Sequence, residues 1–251
     1  MRSLRFLVSR RWVLFGITVA LLAWAAWLLG EWQFHRLAER KELNAIVARN
    51  TSEPAAPVSD VLAPDRPVNK GDEWRVVTAT GTYATEDTVI VRYRTREGAS
   101  GSDVVVPLVT EDGPALLVDR GWMATDNSAT EPVDAPAPPS GVVTVTGWLR
   151  VDATGDSTAV SSGSTGGALS TRAISSDRIG AALDREVYGG FVDLKSEDPP
   201  PDTQLERAEL PELDNGPHFF YGLQWWFFGV LAIVGFGYLA FDEWRKRDRP
   251  A

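Results

Sequence analysis

The chain holds two histidines, His35 and His218, and no cysteine. Two imidazoles at one depth could ligate a haem iron from opposite sides, or one could do so alone; the plain alternative is a pair of amphipathic surface residues. A structural zinc site needs about four ligands and is not expected. Without cysteine, thiol–disulfide exchange, CxxC metal carriage and thiolate catalysis are excluded, and copper delivery through sulfur is left with Met1 and Met123. Trp32-Gln33 and Gln224-Trp225-Trp226 place an amide beside indole. A glutamine in an apolar stretch is costly unless paired, so Gln224 is expected to face protein: a partner helix, a cofactor, or the chain's own other helix. Asp119-Arg120-Gly121-Trp122 offers an ion-pairing dipeptide, with Arg120 bridging to an acid across a sheet and Gly121 permitting a bend. The serines between 157 and 164 lack a GxSxG elbow and a nearby histidine, and no glycine loop suits phosphate. There is no nucleophile–base pair and no acid pair, so no enzymatic reaction is expected.

The elements that position these residues are read from hydropathy and charge. Trp12 to Leu29 is an uncharged run of 18 residues preceded by Arg2, Arg5, Arg10 and Arg11. Phe219 to Phe241 is an uncharged run of 23 residues followed by Arg245, Lys246, Arg247 and Arg249. About 20 apolar residues cross roughly 30 Å of hydrocarbon, and flanking Lys and Arg tend to stay cytoplasmic. The expectation is a two-pass protein of the cell (inner) membrane, both termini cytoplasmic and the middle displayed outside. A cleavable signal peptide ending at Ala23-Trp24-Ala25 is the alternative for the first span. Against it, the apolar run continues to Leu29, and seven of the ten tryptophans (12, 24, 27, 32, 225, 226, 244) lie in or beside the two runs, like an interfacial belt. Residues 1–30 carry +4 and residues 219–251 carry +1, which leaves −14 for the middle of a chain whose net charge is −9. Such a domain is a poor nucleic-acid binder, because phosphate contacts need clustered Lys and Arg, and anionic lipid headgroups would repel it. Without disulfides, its core alone must hold it.

Within the middle, residues 30–47 extend the first helix, and Pro54, Pro57, Pro64 and Pro67 mark a linker. Short segments rich in β-branched and aromatic residues follow: Trp74–Ala79 toward Gly81-Thr82-Tyr83, then 88–94, 103–109, 115–122, 142–150 and 191–194. Glu111-Asp112-Gly113-Pro114 reads as a hairpin turn. Residues 132–139 are a proline-rich excursion, 152–167 a Ser/Thr/Gly-rich mobile loop, and 174–183 a short helix capped by Ser176 or Asp177. The fold class expected is two transmembrane α-helices flanking an extracytoplasmic, antiparallel β-rich domain, barrel or sandwich-like with some helix. Its layout is a basic cytoplasmic N-terminus at 1–11, spans at 12–29 and 218–241, a helical extension and linker at 30–68, a β domain at 69–217, and a basic tail at 242–251.

Five ordered signatures resemble those of the surfeit locus protein one family, cytochrome c oxidase assembly factors. Leu29-Gly30-Glu31-Trp32-Gln33-Phe34-His35-Arg36 is similar to the family's exit from its first span. Gly81-Thr82-Tyr83 with Val89-Ile90-Val91 and Arg94 resembles its strand pair. Val106-Pro107-Leu108 followed by Leu117-Val118-Asp119-Arg120-Gly121-Trp122 resembles its most recognisable core. Gly147-Trp148-Leu149-Arg150 and His218-Phe219-Phe220-Tyr221-Gly222-Leu223-Gln224-Trp225 complete the set. Glu39-Arg40 depart from the family's usual Trp-Lys, and the Ser/Gly-rich loop 152–167 replaces an Asn-rich segment. The resemblance implies an assembly factor for haem-copper oxidases that assists haem a insertion into the catalytic subunit. It implies a transient haem a site at His218, Tyr221, Gln224 and Trp225, and no comparable role for His35. Partner contacts are expected at Trp32, Gln33, Arg36, Arg120 and Trp122, the partners being oxidase subunits, proteins of haem a synthesis or delivery, and the lipid bilayer. The alternative is a structural subunit that stabilises an oxidase or supercomplex without touching cofactor.

Overall fold

The computed structural model describes residues 4–64, 66–111, 113–126, 134–162 and 168–246. The chain divides into two compact units, one of residues 1–45 with 213–251 and one of residues 46–212.

The first unit is a pair of long helices. Helix α1, Arg10–Ser52, contains no proline and is rich in Leu and Ala through its first half, the residues that lose least on entering a helix. The unit's other helix, His218–Lys246, follows Pro217 directly, and the Tyr221 N–H donates to the Pro217 carbonyl at 3.1 Å. Arg245 and Lys246 occupy its last turn, where the helix dipole favours cations. Both helices are long and apolar enough to cross a membrane. They meet through aromatic rings seated on small residues: Trp12 and Phe15 on Phe236, Trp27 stacked on Trp226 at 5.2 Å, and Phe34 on Trp226 at 4.8 Å. A side chain at Gly30 would collide with the Trp226 indole, and one at Gly222 with Phe34. Small residues permit such close approach where no hydrophobic driving force separates helix from lipid.

The second unit is a β-barrel. Its elements in chain order are β1 (Ala56–Pro57), α2 (Val58–Val61), β2 (Val76–Tyr83), β3 (Val89–Arg96), β4 (Ala99–Thr110), β5 (Ala115–Ala124), β6 (Val142–Arg150), β7 (Leu169–Thr171), α3 (Ser176–Leu183) and β8 (Val187–Asp198), ahead of α4, the His218–Lys246 helix. The sheet order is β1-β2-β6-β8-β5-β4-β3-β7, and β2 also pairs with β4 at Tyr83–Leu108. That extra pairing closes β2-β6-β8-β5-β4 into a ring of five strands, with β3, β7 and β1 lying outside it. The expected antiparallel pairing holds for β2–β4, β2–β6, β3–β4, β4–β5 and β6–β8. The pairs β1–β2, β3–β7 and β5–β8 are parallel, because each returns through a long connection and not a hairpin.

Alternate residues sort to two cores. Val77, Val104, Val106, Leu108, Leu116, Val118, Val143, Leu149 and Leu194 fill the ring. Val89, Val91, Val105, Leu117 and Phe191 pack on its outer side against Ile174 and Ile179 of the α3 region. Strands β4 and β5 are therefore buried on both faces, which is why they read as continuous apolar runs. Helix α3 takes its cap from neither Ser176 nor Asp177: the Asp152 carboxylate accepts from both the N–H and the hydroxyl of Ser176. Asp152 opens the segment expected to be a mobile loop. Its described part is anchored further by Ser161 bridging to Ser170 in both directions. Residues 163–167, and 132–133 of the proline-rich excursion, lie outside the described residues. So does Asp112 of the expected turn, whose Gly113 has φ +112°, the sign that turn requires.

Candidate functional site

The family-like signatures fall into two places, one in each unit. In the helix pair, His218 and Gln33 are brought together: His218 Nδ1 lies 2.8 Å from Gln33 Oε1. The amide oxygen only accepts, so Nδ1 is the donor of this bond, and in the neutral tautomer that makes it Nε2 is the ring's acceptor. Gln33 is buried and His218 half-buried. Beside Nε2 stands Gly216, at φ +61°, where a Cβ would come within 3.4 Å of that nitrogen. Glycine keeps this approach open. His35 sits two residues after Gln33, about 200° round the helix. It is exposed, 3.8 Å from Glu31, and turned away from the side of α1 that meets His218.

Gly30, Phe34 and Gly222 lie where the helices meet, while other signature residues face outward. Tyr221, Gln224 and Trp225 share a face of α4 about a third of a turn from the one that meets α1; Tyr221 and Gln224 are exposed and Trp225 half-buried. Gln224 is thus not paired with α1, contrary to the reading that its own second helix satisfies it. Trp32 is exposed, with the Arg36 guanidinium 5.9 Å from its ring and Arg36 paired to Glu39 at 2.8 Å. Arg40 and Asn44 both donate to the Asp214 backbone carbonyl, and Arg40 pairs with its carboxylate at 3.1 Å; these bonds tie the approach to α4 onto α1.

In the barrel, the four residues of the Asp119–Trp122 signature point in four directions. Arg120 is turned inward and 2 % exposed. Its guanidinium lies 3.7 Å from Glu197, donates to the Pro136 carbonyl at 2.8 Å, and stands over the Tyr83 ring, whose hydroxyl donates to Glu197 at 3.0 Å. Burial and the Glu197 charge raise the Tyr83 hydroxyl well above its ordinary value. Gly121, at φ +129°, passes under the chain leaving the barrel, where a Cβ would meet the Glu206 carbonyl oxygen at 2.6 Å. Trp122 exchanges both backbone hydrogen bonds with Glu206, and its indole donates to the Arg94 carbonyl. Arg96 completes this clip by donating to the Glu206 and Arg207 carbonyls. Arg120 and Trp122, expected to touch a partner, are both buried, and every contact given for them is internal to the barrel.

Asp119 points the fourth way, into a polar cavity of about 250 Å³. There Arg94 pairs with Asp103 at 2.6 Å, Arg96 lies 3.6 Å from the same carboxylate, and Arg150 pairs with Asp193 at 2.5 Å and with Glu73 at 3.2 Å. Arg150 also stacks over Trp74 at 4.0 Å. Asp119 accepts from the Gly121 N–H at 3.0 Å, and among the described residues no basic group lies within ion-pair distance of it. Burial, then Asp103, then Asp193 raise its carboxyl well above the usual range. Burial also raises Asp193, against the opposing pull of Arg150. Asp103, Asp193, Arg96 and Glu197 were not singled out from sequence; Asp103 is the one charged residue of β4, and that conflict was the available signal, whereas the others share their strands with further charges. Among the described residues no group of His, Asp and Glu could hold a metal ion.

The sequence model of the SURF1 family matches residues 20–230. SURF1-like proteins of Mycobacterium tuberculosis and Mycobacterium bovis are each 30% identical to the chain over 254 residues, spanning 99% of it and 90% of the relative. The cytochrome oxidase assembly protein SHY1 of Saccharomyces cerevisiae is 28% identical over 104 residues, covering 41% of this chain and 26% of the yeast protein.

Proposed function

The chain belongs to the SURF1 family, and from that premise we propose that it is an assembly factor for haem-copper cytochrome c oxidase. The yeast relative bears the name of an oxidase assembly protein. The finer reading is that it assists haem a insertion into the catalytic subunit, as a two-pass protein of the cell membrane with both termini cytoplasmic and the barrel outside. It carries out no reaction of its own: it holds a partner and a cofactor in place.

The observation that carries the cofactor half is the Gln33–His218 bond. A haem ligand must present an unprotonated nitrogen, and a partner on the other ring nitrogen fixes which one that is. Gln33 does this for His218, and Gly216 keeps the ligating side uncrowded. The donor set would therefore suit a haem iron, with the outward face of Tyr221, Gln224 and Trp225 beside it. When bound, haem a would supply the iron that His218 holds; the chain's residues hold, orient and release it. Trp32 and Arg36, exposed on α1, are assigned to partner contact at the same end of the pair.

The test is a reduced-minus-oxidised spectrum of protein purified from cells that make haem a. Wild type should show an a-type signal that His218→Ala loses. No haem in either protein would remove the carrier half and leave a scaffold. Stoichiometric co-purification with mature oxidase, in place of incomplete oxidase, would instead identify a structural subunit.

A further inference from the structure

Helix α4 carries two seams with the spacing of packed helices, and its own chain covers one of them. Gly222, Trp226, Gly229 and Phe236 follow at intervals of four, three and seven residues, and these meet α1. Trp226 stacks on Trp27, Phe236 takes Trp12 and Phe15, and Gly222 and Gly229 face Phe34 and Ala26. Gln224, Phe228, Leu231, Gly235 and Tyr238 follow at four, three, four and three, the repeat of a two-helix seam. They lie about 160° round the helix from the first set. Gln224, Phe228, Leu231 and Tyr238 are exposed.

Two residues of this second seam are unexplained within the chain. Gln224 lies five residues inside the uncharged run that begins at Phe219, about 8 Å along the axis. Its amide has no hydrogen-bond partner among the described residues, a costly state in hydrocarbon. Gly235 is the other, since a glycine weakens a helix interior. At Gly222 and Gly229 a Cβ would touch or crowd α1, but at Gly235 it would meet nothing within 4 Å. The amide and the glycine stand eleven residues apart, three turns along one face. Together they supply what helix contacts in a membrane use, a hydrogen bond and room for close approach.

We propose that this face of α4 packs on the same face of α4 in a second copy of the chain, as a parallel pair related by a two-fold axis. Complementarity favours a second copy over an unrelated helix. Two copies of one chain enter the bilayer in the same orientation, so the axis sets Gln224 against Gln224 at equal depth. Each amide carries both donors and an acceptor, so each donates to the other's oxygen. Gly235 then meets Gly235 three turns on. The next position of the repeat, Asp242, is already paired with Lys246 at 2.7 Å in its own chain, so the two carboxylates do not meet unneutralised. The inference rests on α4 crossing the membrane and on no cofactor. Tyr221 and Trp225 stay at the rim of the seam, about 60° and 100° round from Gln224 toward His218.

The chain has no cysteine, so single introduced thiols report their neighbours directly. Full-length variants with one cysteine at each position from 227 to 238 are oxidised in membranes of cells that make no haem a, and the disulfide-linked dimer is measured. The expected result is a set of maxima at Phe228→Cys, Leu231→Cys, Gly235→Cys and Tyr238→Cys, with several-fold less product at Val230→Cys and Val234→Cys, which lie off the seam. Adding Gln224→Leu to Leu231→Cys should lower the dimer about five- to tenfold, and adding Gly235→Leu should lower it as well. Gln224→Leu makes the helix more apolar, so a loss of dimer there does not reflect failed insertion. Adding Val234→Leu should change nothing. Cross-linking without this period, or a dimer unchanged by both Gln224→Leu and Gly235→Leu, would overturn the seam. A Leu231→Cys product joined to a different membrane protein, without the dimer, would overturn the second copy as its occupant. No cross-link at any position would overturn both. Because no haem a is present, the outcome is independent of the spectrum that tests the cofactor reading.

Discussion

The helix pair and the barrel handle polar residues in opposite ways. In the helix pair one part-buried amide–imidazole bond lies where α1 and α4 touch, while Trp32, Tyr221 and Gln224 are exposed. In the barrel the outside is charged and wet, while the inside holds Arg120 with Glu197 and the Asp103–Asp119–Asp193 cavity. The difference teaches where each unit can act. A helix pair whose polar groups point out leaves them free to meet whatever lies alongside it. A barrel that buries its charges uses them to fix its own shape.

The comparison breaks most easily at Arg120. Arg120→Met leaves Glu197 buried without its cation, a loss of about 3–5 kcal/mol, and should lower the barrel's melting temperature by roughly 10 °C. Adding Glu197→Leu should recover most of that loss, measured by urea unfolding. Full stability in the single variant would mean the pair is not part of the core. Next in size is Gly121→Ala. Its φ of +129° and the Glu206 carbonyl above it put the cost at about 1–3 kcal/mol. Hydrogen exchange at Trp122 and Glu206 should quicken first, since those amides form the clip; protection unchanged there would refute the clip.

Asp119 sharpens the comparison through pH. Its carboxyl is raised in the folded protein, so the folded state binds the proton more tightly than the unfolded chain. That contribution to stability is fully present below the ordinary aspartate range and is lost as pH rises through the raised value. Asp119→Asn cannot ionise, so its stability should fall less than wild type's between pH 4 and pH 8; parallel profiles would contradict the assignment. The smallest effect on stability is expected in the helix pair, where Gln33→Leu removes one interhelical bond of about 0.6 kcal/mol. Its readout is the imidazole. Nitrogen-15 NMR should find the His218 proton on Nδ1 in wild type and divided between both nitrogens in the variant. A wild-type proton on Nε2 would contradict the orientation argued for His218.

Legibility in sequence followed the strength of local physics. Both helices were readable because their apolar runs are long and bracketed by arginine, and most strands because β-branched residues cluster between turns. Gln33 and His218 were each visible as polar letters beside an apolar run, but 185 residues separate them, and nothing local pairs them. Closure of the ring by β2 on β4, and the parallel return of β8 beside β5, depend on contacts no period encodes. The short strands Ala56–Pro57 and Leu169–Thr171 were hidden, one in a proline-rich segment and one beside a Ser/Gly-rich segment. The cavity escaped because Asp103, Asp119 and Asp193 come from three strands, and no spacing within one strand relates them. Gln224 was expected to face protein; it is exposed on α4 and turned away from α1.

The central claim is that this chain serves oxidase assembly, and it is tested most directly in cells that lack it. Oxidase should be purified from a deletion strain, and from the same strain carrying wild type or His218→Ala, and its a-type haem measured per catalytic subunit. The account predicts a marked loss of haem and activity in the deletion, full recovery with wild type, and partial recovery at most with His218→Ala. Haem content and activity unchanged by the deletion would contradict it.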